Sequence, residues 1–250
     1  MKKIKSITMK KRIKTAIGIP VIILLLTILT GCYDYFACIE GNGKTVKETR
    51  YPGQFHAIHI LGSFDVEIIN DTFTEVIVQA DENLIPNIIT RVNSGILIVK
   101  TRDNTCFRDP EPVRVIVRTG YIDELNIYGS GDFYAGDIKA SDLELNIYGS
   151  GDMDLTIDVQ SVDINIAGSG DVKLKGHTVN SDINITGSGN IRSFGLYQEK
   201  CFVDISGSGS VYVYVNKLLD VDISGSGSVF YKGDPVVYTD ITGSGSVIKY

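Results

Sequence analysis

The 250-residue sequence has no tryptophan and only 6 prolines, although it has 26 glycines. A disordered linker with this much glycine would be rich in proline as well, so the imbalance indicates many tight turns. The apolar fraction of 43% and the charged fraction of 22% are those of a folded globular protein. The helical period of 3.6 residues is missing from 119–250, which leaves strands as the predicted elements there.

Motifs of catalysis and of zinc binding are also missing. The sequence contains no G-x-S-x-G elbow, no Walker loop, no HExxH and no CxxC pair. None of its three histidines, His56, His59 and His177, lies beside a nucleophile in a recognisable motif, so we interpret them as surface residues. These absences predict a protein that is not an enzyme and that has no cofactor, with calcium as the one ion considered below.

The first 31 residues predict a bacterial lipoprotein signal peptide. Residues 1–14 contain six lysines, one arginine and no acid, and an apolar run follows at 16–29. The run is shorter than the ~20 residues that a transmembrane helix needs, and a basic flank before a short apolar run is typical of a secretory signal. The sequence Leu-Thr-Gly-Cys that follows resembles a lipobox, which predicts that Cys32 becomes the lipidated N-terminus. An uncleaved signal anchor is the alternative.

Removal of this leader leaves an acidic chain. The leader contains seven of the 24 basic residues and none of the 30 acidic residues, so 17 basic and 30 acidic residues remain, a net charge of −13. A nucleic-acid partner requires a basic face, so none is expected. The predicted partners are the membrane, through the lipid on Cys32, and a protein or glycan. The predicted location is the cell envelope, at the outer membrane.

Export permits disulfides among the other cysteines. Cys38 and Cys106 both lie outside the repeats described next and could pair. Cys201 occupies an apolar position of a repeat, so we expect it to be a buried thiol.

A Gly-Ser-Gly tripeptide recurs seven times with a spacing of 18 to 20 residues, which is typical of a solenoid. Glycine reaches positive φ and allows close backbone approach, so we expect each tripeptide to turn the chain at the same point of its rung. The serine hydroxyls are expected to bond backbone groups or one another. The corner glycines are Gly129, Gly131, Gly149, Gly151, Gly168, Gly170, Gly187, Gly189, Gly207, Gly209, Gly225, Gly227, Gly243 and Gly245.

Apolar and polar residues alternate on both sides of each tripeptide, as in strands with one buried face. An isoleucine always lies two residues before the first glycine. The pattern predicts an all-β fold, a right-handed parallel β-helix (a solenoid) of about seven to eight rungs with an irregular N-terminal cap. An up-and-down antiparallel barrel would need two alternating turn types, whereas the corner is the same in every copy.

The segment before the repeats divides into a tether and a cap. Residues 32–54 are expected to be the lipid-anchored tether, and 55–118 the cap with a divergent first rung, ahead of the repeat β-helix at 119–250. The rung at 58–68 matches the repeat, with Phe64 in place of the second glycine. We expect further strands at 75–80, 95–100 and 113–118, and one short helix, broken by Pro86, within 82–92.

Stacked aspartates are one set of candidate functional groups. Asp132, Asp152 and Asp171 follow the tripeptide in three consecutive copies, whereas Asp204, Asp222 and Asp240 precede it in the last three. Stacked carboxylates repel one another unless they are solvated, protonated or bridged by a cation. We expect a solvated face; calcium at the second set is the alternative, although the calcium β-roll pattern is missing.

Outward aromatic residues are the candidate binding surface, because tyrosine combines contact area with a hydroxyl. Cross-strand packing explains the same residues equally well. The set consists of Tyr128, Tyr148, Tyr134, Tyr212 and Phe230.

The lipobox, the rung at 58–68 and the serial Gly-Ser-Gly rungs together resemble the bacterial family of auto-transporter adhesins, head GIN domain, over residues 55–248. The resemblance implies a right-handed β-helix in an envelope lipoprotein of Gram-negative bacteria. It brings no site residues with it.

We therefore expect a non-enzymatic envelope lipoprotein with an adhesin-like binding function on the lateral faces of the β-helix. The alternative is a structural or assembly protein, a homo-oligomer that associates through the unpaired backbone of its open C-terminal rung. A carbohydrate-active β-helix enzyme is the last alternative. It is disfavoured because ligand sites are concave and rungs of nearly equal length leave no long loop to wall a cleft.

Overall fold

The structure is a computed structural model that describes residues 37–108 and 113–250, and these residues form an all-β chain. The strands of the first part are β1 (Ala37–Glu40), β2 (Thr45–Arg50), β3 (Ala57–Gly62), β4 (Asp65–Asn70), β5 (Glu75–Asp81), β6 (Ile88–Asn93), β7 (Ile96–Thr101), β8 (Thr105–Arg108) and β9 (Arg114–Thr119). The strands of the repeats are β10 (Glu124–Gly129), β11 (Asp132–Gly149), β12 (Met153–Gly168), β13 (Asp171–His177), β14 (Asn180–Gly187), β15 (Asn190–Gly207), β16 (Ser210–Gly225), β17 (Ser228–Lys232), β18 (Val236–Gly243) and β19 (Ser246–Lys249).

Strands of successive turns pair in parallel on both sides of the corner. The first face consists of the segments that lead into it, in the spatial order β3, β10, β11, β12, β14, β15, β16, β18. The second face consists of the segments that leave it, in the order β4, β11, β12, β13, β15, β16, β17, β19. The expected all-β solenoid is confirmed, with about seven turns.

The core is the column of side chains that point into this coil. The isoleucines before the corner are fully or almost fully buried from Ile127 to Ile223, and Phe133, Met153 and Val172 are buried beyond it. Burial of such a side chain stabilises the fold by ~1.5–3 kcal/mol. In the last turn, Ile241 is 38% exposed. The strict repetition of isoleucine is therefore a packing requirement of stacked turns.

The cap predicted at 55–118 begins with β3 and β4, which pair in parallel with the first turn of the repeats. β3 and β4 meet at Gly62, which pairs with Gly129 of the next rung. The three further strands predicted in this region are also present as β5, β7 and β9. β7 and β9 extend the two faces in parallel, whereas β2, β5 and β6 add antiparallel pairs. The cap therefore mixes both pairing directions, unlike the repeats.

The short helix expected within 82–92 is wrong. Only Ile85–Asn87 forms a single 3₁₀ turn, and the residues after it form β6. Proline is tolerated in the first turn of a helix but not further in, and β-branched residues follow at Ile88, Ile89 and Thr90, which favour a strand. None of the described residues belongs to a helix long and apolar enough to cross a membrane.

The expected tether at 32–54 is largely part of the fold. β2 pairs antiparallel with β5, and β1 pairs in parallel with β8. The tether prediction fails because β2 has an exposed, polar sequence whose single apolar residue, Val46, gives almost no alternation. The predicted signal peptide at 1–31 and the predicted lipidation of Cys32 lie outside the described residues.

The structure describes three cysteines, of which two are bonded to each other and one is free. Cys38 and Cys106 are directly opposite each other in β1 and β8 and form a disulfide. Cys201 is free and fully buried. Burial raises the pKa of the Cys201 thiol to about 12, so it stays protonated and unreactive.

Candidate functional site

The Gly-Ser-Gly corners are structural. The first glycine of each tripeptide has φ between +125° and +148°, a region that only glycine adopts without strain. The serine between the glycines donates its backbone N–H to the carbonyl of the first glycine one turn earlier, at 2.8–3.1 Å. The backbone amide of each serine therefore makes the hydrogen bond that joins one corner to the next. The sequence analysis expected the serine hydroxyl to make such bonds.

The aspartates after the corner bond to the backbone of the next turn. Asp132 Oδ1 accepts the backbone N–H of Asp152 at 2.8 Å, and Asp152 Oδ1 accepts that of Asp171 at 2.8 Å. In the next two turns, Asp171 Oδ1 accepts the backbone N–H of Asn190, and Asn190 Oδ1 accepts that of Ser210, both at 3.1 Å. The column therefore links successive turns through side-chain acceptors and backbone N–H donors, and Asp171 is also paired with Arg192.

The candidate calcium ligands Asp204, Asp222 and Asp240 lie in register on the first face. They line an open depression of about 250 Å³ together with Ser206, Ser224 and Thr242. Within 37–108 and 113–250, no group of three or more His, Cys, Asp or Glu side chains is arranged to hold a metal ion. Calcium binding at these aspartates therefore gains no support.

Four asparagines form a ladder across the first face. Asn146 Nδ2 donates to Asn126 Oδ1 at 2.7 Å, and Asn165 and Asn184 continue at 2.9 and 3.2 Å. Asn126 and Asn146 are only 4% exposed although they point away from the core. Amide ladders of this kind satisfy the side chains between stacked strands, so this column is structural as well. Its signal in the sequence is the same residue at the same position of four rungs.

Tyr128 and Tyr148 are also on the first face, beside an acidic column. Their rings stack with centroids 5.1 Å apart and an interplanar angle of 9°. Glu124, Glu144 and Asp163 lie in register on neighbouring turns. Burial and then the nearby carboxylates of Asp182, Glu144 and Asp142 raise the pKa of Asp163. This face therefore presents two tyrosines next to a column of acidic side chains, of which Glu124 and Glu144 accept hydrogen bonds from asparagines of the ladder.

Tyr134 lies on the other side of the corner, apart from Tyr128 and Tyr148. Its hydroxyl donates to Asp132 Oδ2 at 3.1 Å. Burial, this hydrogen bond and neighbouring carboxylates raise the pKa of Tyr134 to about 12. The five aromatic candidates thus do not form one surface.

The remaining pair, Tyr212 and Phe230, is on the second face, where the rings stack at 4.8 Å and 10°. The register between β13 and β15 shifts next to this pair: Lys173 pairs with Arg192, but Lys175 pairs with Gly195. The extra residue forms a β-bulge, and bulges change the direction of side chains. Ser193 is buried and bonds the Tyr212 carbonyl at 2.9 Å, while the Phe194 ring lies 5.6 Å from that of Tyr212.

The bulge creates a groove of about 460 Å³ on the second face. Its lining is mostly apolar and consists of Lys173, Leu174, Lys175, Arg192, Phe194, Gly195 and Tyr212. We call it the bulge groove. The Lys232 ammonium lies at its edge, 4.3 Å from the centroid of the Phe194 ring, which is a cation–π distance. The Tyr212 ring is thus held by stacking on Phe230, and the Phe194 ring by the Lys232 ammonium.

The charge of the bulge groove is opposite to that of the first face. Lys173 pairs with Asp154, and Arg192 with Asp171, both at 2.5 Å. Burial alone would raise the pKa of Asp171, but hydrogen bonds from Asn190 and Arg192 outweigh it and hold the pKa below its usual range. Within the described chain, Lys175 has no carboxylate partner. The arrangement suits an anionic, partly apolar ligand.

The bulge groove was missed by the sequence interpretation except for Tyr212. The only signal is the change in spacing from 19 residues, between Gly168 and Gly187, to 20 residues, between Gly187 and Gly207. The additional residue in the longer turn produces the bulge that presents Phe194. A change of one residue in length does not reveal in which direction the inserted side chain points.

The histidines occupy other parts of the surface. His56 lies 2.7 Å from Asp123, and His59 lies 2.8 Å from Glu124. His177 stacks on Tyr197.

The last turn exposes apolar side chains, with Val236 58% and Ile248 44% exposed. Self-association through this turn stays a prediction.

Solved structures of bacterial proteins share this architecture. A "putative lipid binding protein" from Parabacteroides distasonis is 29% identical, with a TM-score of 0.72, and the match covers 85% of this chain and 99% of that one. A "putative adhesin" from Bacteroides fragilis is 20% identical, with a TM-score of 0.79 and coverage of 85% and 100%. Another from Parabacteroides merdae is 22% identical, with a TM-score of 0.68 and coverage of 85% and 98%. The latter two show the shared fold alone.

No curated protein sequence matches the chain. The family model described as "Putative auto-transporter adhesin, head GIN domain" matches residues 54–235, which include the divergent rung, six of the seven Gly-Ser-Gly corners and the bulge groove. Since this match spans well over half of the sequence, the chain belongs to the auto-transporter adhesin, head GIN domain family.

Proposed function

We propose that the chain is a non-enzymatic lipoprotein of the cell envelope that binds a ligand on a lateral face of its β-helix. The observation that carries the proposal is the bulge groove, in which Phe194 and Tyr212 present apolar area beside Arg192 and two lysines. The groove lining contains no acid, histidine, serine or cysteine, and its combination of apolar area and cations suits binding.

The relatives support a binding function of this kind. The 29% identical protein from Parabacteroides distasonis is described as a "putative lipid binding protein", and the family is described as "Putative auto-transporter adhesin, head GIN domain". The location in the envelope rests on the lipobox that ends at Cys32 and on the basic, apolar leader before it.

Comparison of the two lateral faces tests the binding proposal. The chain from residue 33 onward is suitable because Ala37–Tyr250 forms one compact unit with its own core. The purified protein is tested against phospholipid vesicles, immobilised glycans and matrix proteins. We expect the double variant Phe194→Ala/Tyr212→Ala to lose at least ~10-fold in affinity, as central aromatic residues of binding sites do.

The control is Tyr128→Ala/Tyr148→Ala, which also removes two neighbouring aromatic rings, but from the acidic first face. It is expected to leave binding unchanged. If only the control variant lost affinity, the binding site would be on the first face instead of in the bulge groove. Failure of the native protein to bind any member of the panel would refute the proposal.

Lipid attachment is tested in intact cells with the full chain. An alkyne analogue of palmitate should label the native protein and not Cys32→Ala, because all the acyl chains are attached through the predicted N-terminal cysteine. Membrane fractions should retain the native protein after washing at high salt, since several acyl chains at ~0.8 kcal/mol per buried CH₂ anchor it stably. Equal labelling of both proteins would contradict the anchor at this residue.

A further inference from the structure

We infer that the bulge groove takes an anionic amphiphile, a lipid whose phosphate or carboxylate headgroup lies against Lys175 and Lys232 and whose hydrocarbon lies across Phe194 and Tyr212. This inference rests on the proposed function, because it names the ligand class of the same site.

The first argument is the local excess of positive charge. Four cations surround the groove, namely Lys173, Lys175, Arg192 and Lys232, whereas only Asp154 and Asp171 are paired with them. The chain after the predicted leader has a net charge of −13, so the two cations without a carboxylate partner at this groove are opposite in sign to the chain as a whole. An arginine and several lysines around one site match the oxygens of a phosphate or carboxylate.

The second argument is the chemistry of the lining. Apart from the charged groups, Tyr212 contributes the only side-chain hydroxyl among the groove residues, and no Asn, Gln, Asp or Glu lines the groove. The hydroxyls of a sugar would therefore leave most of their hydrogen bonds unmade, which is costly in a binding site. Hydrocarbon has no such requirement, and burial of apolar surface favours its binding.

The third argument is the position of Lys232. Its ammonium lies 4.3 Å from the Phe194 centroid and 5.0 Å from that of Tyr250. Among the described residues it has no carboxylate partner. A cation held over rings is both ordered and unneutralised, so a headgroup can bind to it without displacing an acid.

Vesicle flotation with the chain from residue 33 onward tests the ligand class. Vesicles of phosphatidylglycerol and phosphatidylcholine in equal parts should bind the protein, whereas vesicles of phosphatidylcholine alone should bind it at least tenfold more weakly. We expect Lys175→Gln/Lys232→Gln to weaken binding to the anionic vesicles by roughly 30-fold, since each basic residue at an anionic bilayer contributes about fivefold. Lys47→Gln/Lys139→Gln, with the same change of net charge in β2 and β11, should change binding less than threefold.

Several outcomes would overturn the inference. Equal binding to both kinds of vesicle would do so, as would equal losses in the groove variant and its control. Displacement of the vesicles by millimolar inorganic phosphate would identify a site for small anions instead, and displacement by a soluble acidic oligosaccharide would identify a glycan site. If Phe194→Ala/Tyr212→Ala abolishes binding to some member of the panel but the lysine variant binds normally, the ligand class is wrong and the proposed function stands.

Discussion

Replacement of Gly168 by alanine is expected to destabilise the β-helix by about 4 kcal/mol, because it combines backbone strain of ~1–3 kcal/mol with overpacking of ~1–3 kcal/mol. Gly168 has φ +147°, and a Cβ there would lie well inside contact distance of the Gly149 carbonyl oxygen. That oxygen also accepts the N–H of Ser169 at 2.9 Å. The clash cannot relax locally, because the turns on both sides fix the corner. Urea denaturation followed by circular dichroism measures the loss.

The matched control is Gly136→Ala in β11. A Cβ at Gly136 meets no atom within 4 Å, and its φ lies outside the region that excludes other residues. Alanine there is expected to be neutral or to stabilise by up to ~1 kcal/mol, since it restricts the unfolded chain. If both variants lose the same stability, the corner has no special backbone requirement and the interpretation of the repeat is wrong.

The repeats made the fold predictable because the same residue types recur at the same buried and corner positions of every rung. Isoleucine at one position of every copy implies a buried column, and glycine at two positions implies a corner where backbones approach closely. Seven copies in one chain give the comparison that a single strand lacks. The parallel pairing of Ile127 with Ile147, and of Gly129 with Gly149, follows directly from that alignment.

The parts that could not be predicted are those without a repeated counterpart. β2 is exposed and polar, and it pairs with β5 through its backbone, which leaves no pattern in its side chains. The groove depends on a single extra residue in β15, and only the three-dimensional register shows that Phe194 points outward while Ser193 points inward. The sequence shows the aspartates after the corner as a column. It does not show that their side chains accept backbone N–H groups, because these hydrogen bonds depend on how adjacent turns pair.

The lateral faces differ in charge because the repeat fixes all the inward positions but only some of the outward ones, such as the asparagine ladder. Inward residues must fill the same space in every turn, whereas most outward residues are free to differ. Lys173, Arg192, Tyr212 and Phe230 occupy one outward column of the second face. The corresponding first-face column runs through Glu144 and Asp163. Function is therefore expected in the outward columns whose residues differ between turns, and stability in the inward columns.

Loss of the Cys38–Cys106 disulfide is expected to have an effect as large as that of the corner variant, about 4 kcal/mol. The bond closes a sequence separation of 68 residues, and in the chain-entropy model a loop of that length destabilises the unfolded state by ~4 kcal/mol. The loop encloses β2 to β7, the part of the fold before the Gly-Ser-Gly repeats. β1 and β8 form a separate two-stranded sheet, and such a pair is marginally stable by itself, so the bond also holds β1 in place.

The variants Cys38→Ala, Cys106→Ala and the double replacement test this expectation by urea denaturation of the chain from residue 33 onward. Since one bond is lost in every case, each single variant should lose nearly as much stability as the double variant. The native protein under reducing conditions should match them, because Cys201 is fully buried and takes no part. Amide exchange should rise first in β1 and β2 and only later in β11 to β16, where neighbouring turns support one another. Unchanged midpoints in all three variants would show that the cap is held by its strand pairing alone.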